Sequence, residues 1–134
     1  MDKAIKPLVV AAWRARKSAA RAPGGRSFGA AVRDATGKVW LAANVESDLR
    51  HFALCAERVA LFYAVTNGAS EITQIAIAFK PEPGSGRPPC GLCLEAFQEF
   101  ATKAQIIISG SPETAQVYSV KDLLPHAYGR PHHR

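Results

Sequence analysis

The sequence lacks the features of a membrane protein or of a disulfide-stabilised secreted protein. Its most apolar stretches, PLVVAAW and ITQIAIAF, are too short to span a bilayer. The N-terminal stretch MDKAIKPLVVAAWRARK brackets a short apolar segment with charges and has no convincing cleavage site, so it does not have the order of a signal peptide. Only three cysteines are present, and this odd number argues against a disulfide framework. We therefore expect a cytoplasmic protein with no membrane segment.

Positive charge is in excess, with 17 Lys and Arg against 11 Asp and Glu and a pI near 9.6. Much of it lies in two basic clusters, WRARKSAARAPGGR and HAYGRPHHR. Such clusters can attract nucleic acid or an anionic ligand. Neither of them interleaves aromatic side chains in the manner of a groove that binds single strands. We interpret them as a solvated helix face and a polar tail, and we do not expect nucleic acid as a partner.

The length of 134 residues and the 48% hydrophobic content fit one compact domain spanning residues 1–134, and no internal repeat is apparent. Helical spacing covers roughly residues 7–21, 53–67 and 90–103. Strand-like runs are SFGAAVRD, KVWLAANVE, ITQIAIAF, QIIIS and AQVYSV, and KDLLPHAYG closes the chain as a short helical turn. This order predicts an α/β fold, a three-layer α/β/α domain with a central mixed sheet of about five strands, parallel where helices intervene.

The three cysteines stand at predicted helix starts. Cys90 and Cys93 form a C-x-x-C after Pro89, and Cys55 precedes a second helical segment. A helix N-terminus favours the ionised thiol, so two such ends that meet would surround one point with three thiolates. Tetrahedral zinc would then have three protein ligands and one open position, because the chain has no fourth cysteine. The pattern predicts a zinc site with room for a water molecule.

Glu57 lies two residues beyond Cys55, where a carboxylate is poor material for a core. Beside a zinc-bound water it would act as a general base, because zinc lowers the pKa of that water from about 16 to about 7. Arg58 can offset the surplus negative charge of three thiolates. These roles together point to hydrolysis. Taken singly, Cys55 reads as a small core residue and Glu57 as a solvated helical residue.

Two other interpretations of the cysteines stay open at this point. Cys90 and Cys93 could form a redox pair, although the preceding proline and the lack of a thioredoxin-like context weaken that case. A closed structural zinc could instead recruit His51 or a C-terminal histidine.

The motifs CAE and PCGLC resemble those of the zinc-dependent nucleoside deaminases. The closer resemblance is to cytidine deaminase of the small, homotetrameric type. NVES followed by CAERVALFYAV is similar to that family's segment, with Cys55 eleven residues after Asn44. The hairpin SFGAAVRDATGKVWLAANVE and the turn LLPHAYG are similar to the family's as well, and the resemblance covers about residues 27–129.

The resemblance implies zinc on the three cysteines and attack of a zinc-bound hydroxide at C4 of a cytosine-like ring. Glu57 would protonate N3 before ammonia leaves, and the Ala56 backbone would orient the pyrimidine. Asn44 and Glu46 match the pair that hydrogen-bonds the ribose, although Asn44 also suits a plain strand-end cap. Arg58 matches the arginine that bonds the zinc thiolates. The partners implied are a small nucleoside and further copies of the chain in a homotetramer, since Tyr128 stands where an aromatic reaches a neighbouring site.

Four positions depart from the family pattern. Arg26 stands where a base-packing aromatic is expected, and Arg50 replaces a common tyrosine six residues after Asn44. Leu94 and Glu95 replace an arginine and a glutamine after the last cysteine. The two arginines could indicate an anionic or bulkier substrate, or they could be surface changes.

The leading hypothesis is a zinc-dependent hydrolytic deaminase of cytidine, deoxycytidine or a related aminopyrimidine nucleoside. A blasticidin S deaminase-like enzyme shares the chemistry, but Asn44 and Glu46 favour an intact ribose. A deaminase of RNA or single-stranded DNA usually has histidine where Cys55 stands, and its base must be flipped out. From another class, the alternative is a non-catalytic zinc-stabilised module that binds nucleic acid through its basic clusters.

Overall fold

The computed structural model describes residues 1–131. Its elements in chain order are α1 (Lys6–Ala15), β1 (Phe28–Asp34), β2 (Val39–Ala43), α2 (Ala56–Thr66), β3 (Ile72–Phe79), α3 (Gly91–Phe100), β4 (Gln105–Ser111), β5 (Thr114–Ser119) and α4 (Val120–Leu123), with short 3-10 turns at Arg16–Ser18 and Arg50–Phe52. None of the helices within this part of the chain is long and apolar enough to cross a membrane.

The five strands form one mixed sheet in the order β2-β1-β3-β4-β5. β1 is antiparallel to β2 and to β3, β4 is antiparallel to β5, and β3 pairs in parallel with β4. The parallel pair is the one whose strands are joined through α3, as a helical crossover requires. β2 and β3, which are joined through α2, also run in the same direction but are separated by β1. The predicted mixed sheet is confirmed.

Both faces of the sheet are covered, which explains the almost continuous apolar sequence of β3. Ile75, Ile77 and Phe79 point into the core shared with α2 and α3, and the alternate residues Ala76 and Ala78 pack under α1. The three-layer α/β/α arrangement is therefore confirmed.

Close packing of α1 on β1 requires a glycine. A Cβ built at Gly29 would overlap the carbonyl oxygen of Ala12 in α1. The absence of a side chain at this position lets helix and strand backbones approach each other.

Three helix boundaries differ from the prediction by three residues or more, and one of them is the end of α3, which lies at Phe100, short of residue 103. α1 ends at Ala15 and continues only as a 3-10 turn to Ser18, short of residue 21. α2 begins at Ala56 and not at residue 53, because the preceding segment is held extended by a bridge between Val45 and Leu54. Cys55 therefore lies immediately before the helix, in an extended conformation with φ −68° and ψ 146°.

Candidate active site

The three cysteines meet where the N-termini of α2 and α3 lie side by side. Cys55 immediately precedes α2, Cys90 immediately precedes α3, and Cys93 lies in the first turn of α3. The Sγ atoms of Cys55 and Cys90 are 3.8 Å apart, and those of Cys90 and Cys93 are 3.4 Å apart. All three Sγ atoms lie within 4.8 Å of one another and no disulfide joins them. The sequence prediction that three thiols converge on one point is confirmed.

The environment of the thiols favours ionisation at one of them. A hydrogen bond from Cys93 is the main cause that lowers the pKa of the Cys55 thiol to about 5, against the opposing effect of burial. The same hydrogen bond is the first cause that raises the pKa of Cys93. Arg58 also stabilises the Cys55 thiolate, because its Nη2 lies 3.7 Å from that sulfur.

Among the described residues, the three cysteine sulfurs are the potential metal ligands that lie close enough together to share one ion. Within residues 1–131, the side chains able to surround one ion are Cys55, Cys90 and Cys93, and neither His51 nor His126 joins them. The other two C-terminal histidines, His132 and His133, lie outside the described residues. The cluster could therefore hold a metal ion with three protein ligands, which leaves a tetrahedral ion one position for another ligand.

Glu57 is buried beside the thiols, with only 1% of its surface exposed. Its Oε2 has no hydrogen-bond partner among the described residues. Burial is the main cause that raises the pKa of this carboxyl to about 7, and the negative charge of Cys55 adds to it. A buried carboxyl with an unpartnered oxygen is unfavourable for the fold alone, so its position calls for a ligand.

Of the residues predicted to bind substrate, Asn44 is held by the fold itself. Its Oδ1 accepts a 2.8 Å hydrogen bond from the backbone N of Phe28, and its Nδ2 donates a 3.0 Å bond to the backbone O of Arg26. Asn44 therefore makes the bonds of a strand-end cap, the alternative to its predicted contact with the ribose. Glu46 is exposed, and Ala56 is fully buried as the first residue of α2.

The Arg26 guanidinium packs against the loop that leads to Cys90. It lies 4.6 Å from the centroid of the Phe28 ring and forms a 3.6 Å ion pair with Glu82. Its Nη1 also donates to the backbone O of Gly86. The sequence identified Arg26 as a departure from the family pattern, but it contained no local signal for these partners. Arg50, by contrast, is exposed in the 3-10 turn before α2.

Leu94 and Glu95 also have structural explanations. Leu94 packs against the core between the sheet and α2 and α3. Glu95 accepts hydrogen bonds from the backbone N of Tyr128 and of Gly129, while the side chain of Tyr128 is 97% exposed.

A groove also lies elsewhere on the molecule. Its volume is about 700 Å³, and Val65, Ile72 and Phe100 are among the residues that line it. These residues lie near the C-terminal ends of α2 and α3, whereas the thiols and Glu57 lie at the N-terminal ends. We therefore assign the chemistry to the N-terminal ends and not to the groove.

A mixed sheet between helices, with three thiols and a buried carboxyl at two helix N-termini, is the arrangement of a hydrolytic deaminase. The family model described as cytidine deaminase-like matches residues 6–113. The cytidine deaminase of Halalkalibacterium halodurans is 32% identical over 101 residues, which cover 75% of each protein. The blasticidin-S deaminase of Bacillus cereus is 27% identical over 108 residues, 76% of each protein.

Solved structures agree with the sequence relatives. The crystal structure of cytidine deaminase from Burkholderia pseudomallei superposes with a TM-score of 0.83 at 30% identity, covering 96% of this chain and 100% of that one. The chain belongs to the cytidine deaminase-like family, and it is a hydrolytic deaminase.

Proposed function

We propose that the protein deaminates cytidine, deoxycytidine or a related aminopyrimidine nucleoside, with a zinc ion held by Cys55, Cys90 and Cys93. The observation that carries this proposal is the unpartnered carboxylate oxygen of Glu57, buried beside three converging thiols. The names of the relatives supply the substrate class, since both a cytidine deaminase and a blasticidin-S deaminase are similar to this chain.

The sulfur separations support zinc. A tetrahedral ion with Zn–S bonds of about 2.3 Å places its ligand atoms about 3.8 Å apart. The separations of 3.8 Å and 3.4 Å between the cysteine sulfurs are close to this value, and they are far longer than a disulfide bond of about 2 Å. Cys55, Cys90 and Cys93 would hold a zinc ion with one position open, and the ion would supply a nucleophile at neutral pH by lowering the pKa of a water molecule there.

Glu57 moves the protons in this proposal. As the water oxygen bonds to C4 of the ring, the Glu57 carboxylate takes a water proton and delivers it to N3. It then transfers the second proton of the water to the amino group. The C4–N4 bond breaks, ammonia leaves and the ring keeps a carbonyl at C4. Burial raises the pKa of Glu57 to about 7 when no metal is bound. The charge of a bound zinc ion would lower it, so that the carboxylate is ionised and able to accept a proton at neutral pH.

The remaining site residues orient the substrate and balance charge. We assign the ribose hydroxyls to Asn44 and Glu46, and the backbone of Ala56 to the pyrimidine. The amide of Asn44 still has one unused hydrogen after its bond to Arg26. Arg58 neutralises part of the thiolate charge, which its 3.7 Å approach to Cys55 supports.

We propose that the working form is a homotetramer in which Tyr128 contributes to a neighbouring site. Large apolar side chains are exposed close in sequence to the site residues: Leu49 and Phe52 precede Cys55, and Leu92 lies between Cys90 and Cys93. Exposed apolar side chains around a site indicate a surface that another subunit covers. Three neighbouring free thiols also favour the reducing cytoplasm as the location.

The test is ammonia release from cytidine, deoxycytidine and blasticidin S by the zinc-loaded protein, compared with the chelated protein. We expect release from a nucleoside that requires the metal. Release from blasticidin S alone would favour a second candidate, a deaminase of a nucleoside with a modified sugar, which the Bacillus cereus relative supports. If no aminopyrimidine substrate is converted although zinc is bound, the proposed function is wrong.

A further inference from the structure

One carboxylate fastens the C-terminal segment to α3. The Oε1 of Glu95 accepts a 2.8 Å hydrogen bond from the backbone N of Tyr128, and its Oε2 accepts a 2.9 Å bond from the backbone N of Gly129. Glu95 lies in the second turn of α3, 33 and 34 residues before these donors. Hydrogen bonds to an ionised acceptor are the stronger kind, so two of them on one side chain hold this backbone in place.

The segment lies tightly against the helix at this point. A Cβ built at Gly129 would stand 2.9 Å from Oε1 of Glu99 and 3.1 Å from Oε2 of Glu95. Glu95 and Glu99 are four residues apart and share one face of α3. The next residue of the tail, Arg130, is basic and exposed, so the charge of the tail is opposite to that of this face.

The ring of Tyr128 is exposed to solvent although the backbone of this residue is bonded to Glu95. The side chain is 97% exposed. Leu92, one turn earlier on α3, is 68% exposed. A large exposed ring on a backbone that is held in place has the composition of an interface anchor, and an exposed leucine on the same helix as Glu95 adds apolar surface.

The residue type matters because only a carboxylate offers a separate acceptor oxygen to each of the two backbone donors. An ionised glutamate offers two acceptor oxygens, whereas a glutamine at the same place would offer one oxygen and one NH₂ donor. The NH₂ group would then face the N–H of either Tyr128 or Gly129. The glutamate that departs from the family pattern at position 95 is therefore matched to the two backbone donors of the tail.

We propose that Glu95 is a positioning residue, which fastens residues 128–129 to α3 and thereby presents Tyr128 to a second copy of this chain. The partner is a copy of the same chain because the proposed function, on which this inference rests, places Tyr128 at a neighbouring subunit's site. Glu95 itself touches no reacting atom in this proposal. It acts through the position of Tyr128.

The first test measures the fastening directly. Backbone amide hydrogen exchange is followed residue by residue by NMR in the full-length, zinc-loaded protein and in Glu95→Gln. Losing one charge-assisted hydrogen bond should speed exchange at Tyr128 and Gly129 about tenfold. Glu113→Gln makes the same charge change at the exposed turn between β4 and β5 and should leave both rates unchanged. Equal exchange in the wild type and Glu95→Gln would overturn the proposal.

The second test measures the presentation of Tyr128. Sedimentation over a dilution series gives the concentration at which the assembly dissociates. Glu95→Gln should raise it about fivefold, in the same direction as Tyr128→Ala, because an interface anchor contributes at least this much. The double variant should dissociate no more readily than Tyr128→Ala alone, since both changes act on one contact. Additive effects, or an unchanged assembly in Glu95→Gln, would overturn the presentation of Tyr128.

Neither test depends on turnover, so the outcome is separable from the proposed function. A protein that releases no ammonia from any aminopyrimidine, yet passes both tests, would refute the proposed function and retain the role of Glu95. A protein that deaminates cytidine but fails either test would refute the role of Glu95 alone.

Discussion

Replacement of Asn44 by alanine should destabilise the protein, because this side chain bonds two backbone groups at the start of β1. Asn44 is 4% exposed, its Oδ1 lies 2.8 Å from the N of Phe28 and its Nδ2 lies 3.0 Å from the O of Arg26. Each hydrogen bond contributes about 1 kcal/mol net, so losing both lowers the free energy of unfolding by about 2 kcal/mol. With a urea m-value of about 2 kcal/mol/M, the midpoint of unfolding should fall by about 1 M.

The assay is urea denaturation followed by circular dichroism, at fixed protein and zinc concentrations because bound metal and assembly both shift the midpoint. Asn67→Ala is the matched control. That asparagine is exposed at the end of α2 and its side chain donates one 2.8 Å bond to the backbone O of Tyr63. Its midpoint should fall by about 0.3 M or less, since surface changes are small. A midpoint for Asn44→Ala within about 0.2 M of the wild type, at an unchanged m-value, would refute this reasoning.

Three further predictions concern the ligands, the loop and the first hairpin. Cys90→Ser should lower zinc content, measured by atomic absorption after dialysis, from about one ion per chain to near zero; full retention would exclude Cys90 as a ligand. Arg26→Ala should speed proteolytic cleavage within residues 80–89, because it removes the ion pair with Glu82; unchanged cleavage would argue against that support. The pKa of Asp34 is lowered from 3.8 to about 2, chiefly by the hydroxyl of a neighbouring threonine. Its stabilisation is therefore complete above about pH 4 and is lost as the pH falls through about 2, so the stability difference from Asp34→Asn should shrink over this range in urea titrations. A difference that does not change with pH would contradict this assignment.

Local sequence pattern was sufficient to predict the elements whose burial follows a simple pattern along the chain. β3 was predicted over its whole length, Ile72–Phe79, because an almost continuous, isoleucine-rich apolar run is bounded by charged residues and a proline. The two helix starts that carry the thiols were predicted within three residues. The convergence of Cys55 with Cys90 and Cys93 was predicted on the condition that the two helix N-termini meet, since three thiolates around one point suit a single metal ion.

Long-range backbone contacts were not predictable from local pattern. The extended conformation of Cys55 depends on the bridge between Val45 and Leu54, and nothing in residues 53–55 encodes it. The partners of Arg26 in the loop lie 54 and 60 residues away along the chain. The donors to Glu95 lie more than 30 residues away. In the cases of Arg26 and Glu95, a polar side chain is matched to backbone groups that come close only through the packing of the sheet and helices.

The central claim is that Glu57 transfers the protons of a zinc-dependent deamination. The most direct measurement is the rate of ammonia release from cytidine by the zinc-loaded wild type and by Glu57→Gln, with zinc content and circular dichroism measured on the same samples. The substitution keeps the shape of the side chain but removes the proton acceptor, so kcat should fall about 10²- to 10⁴-fold while zinc and fold are unchanged. A variant that retains zinc, fold and the wild-type rate would contradict the account.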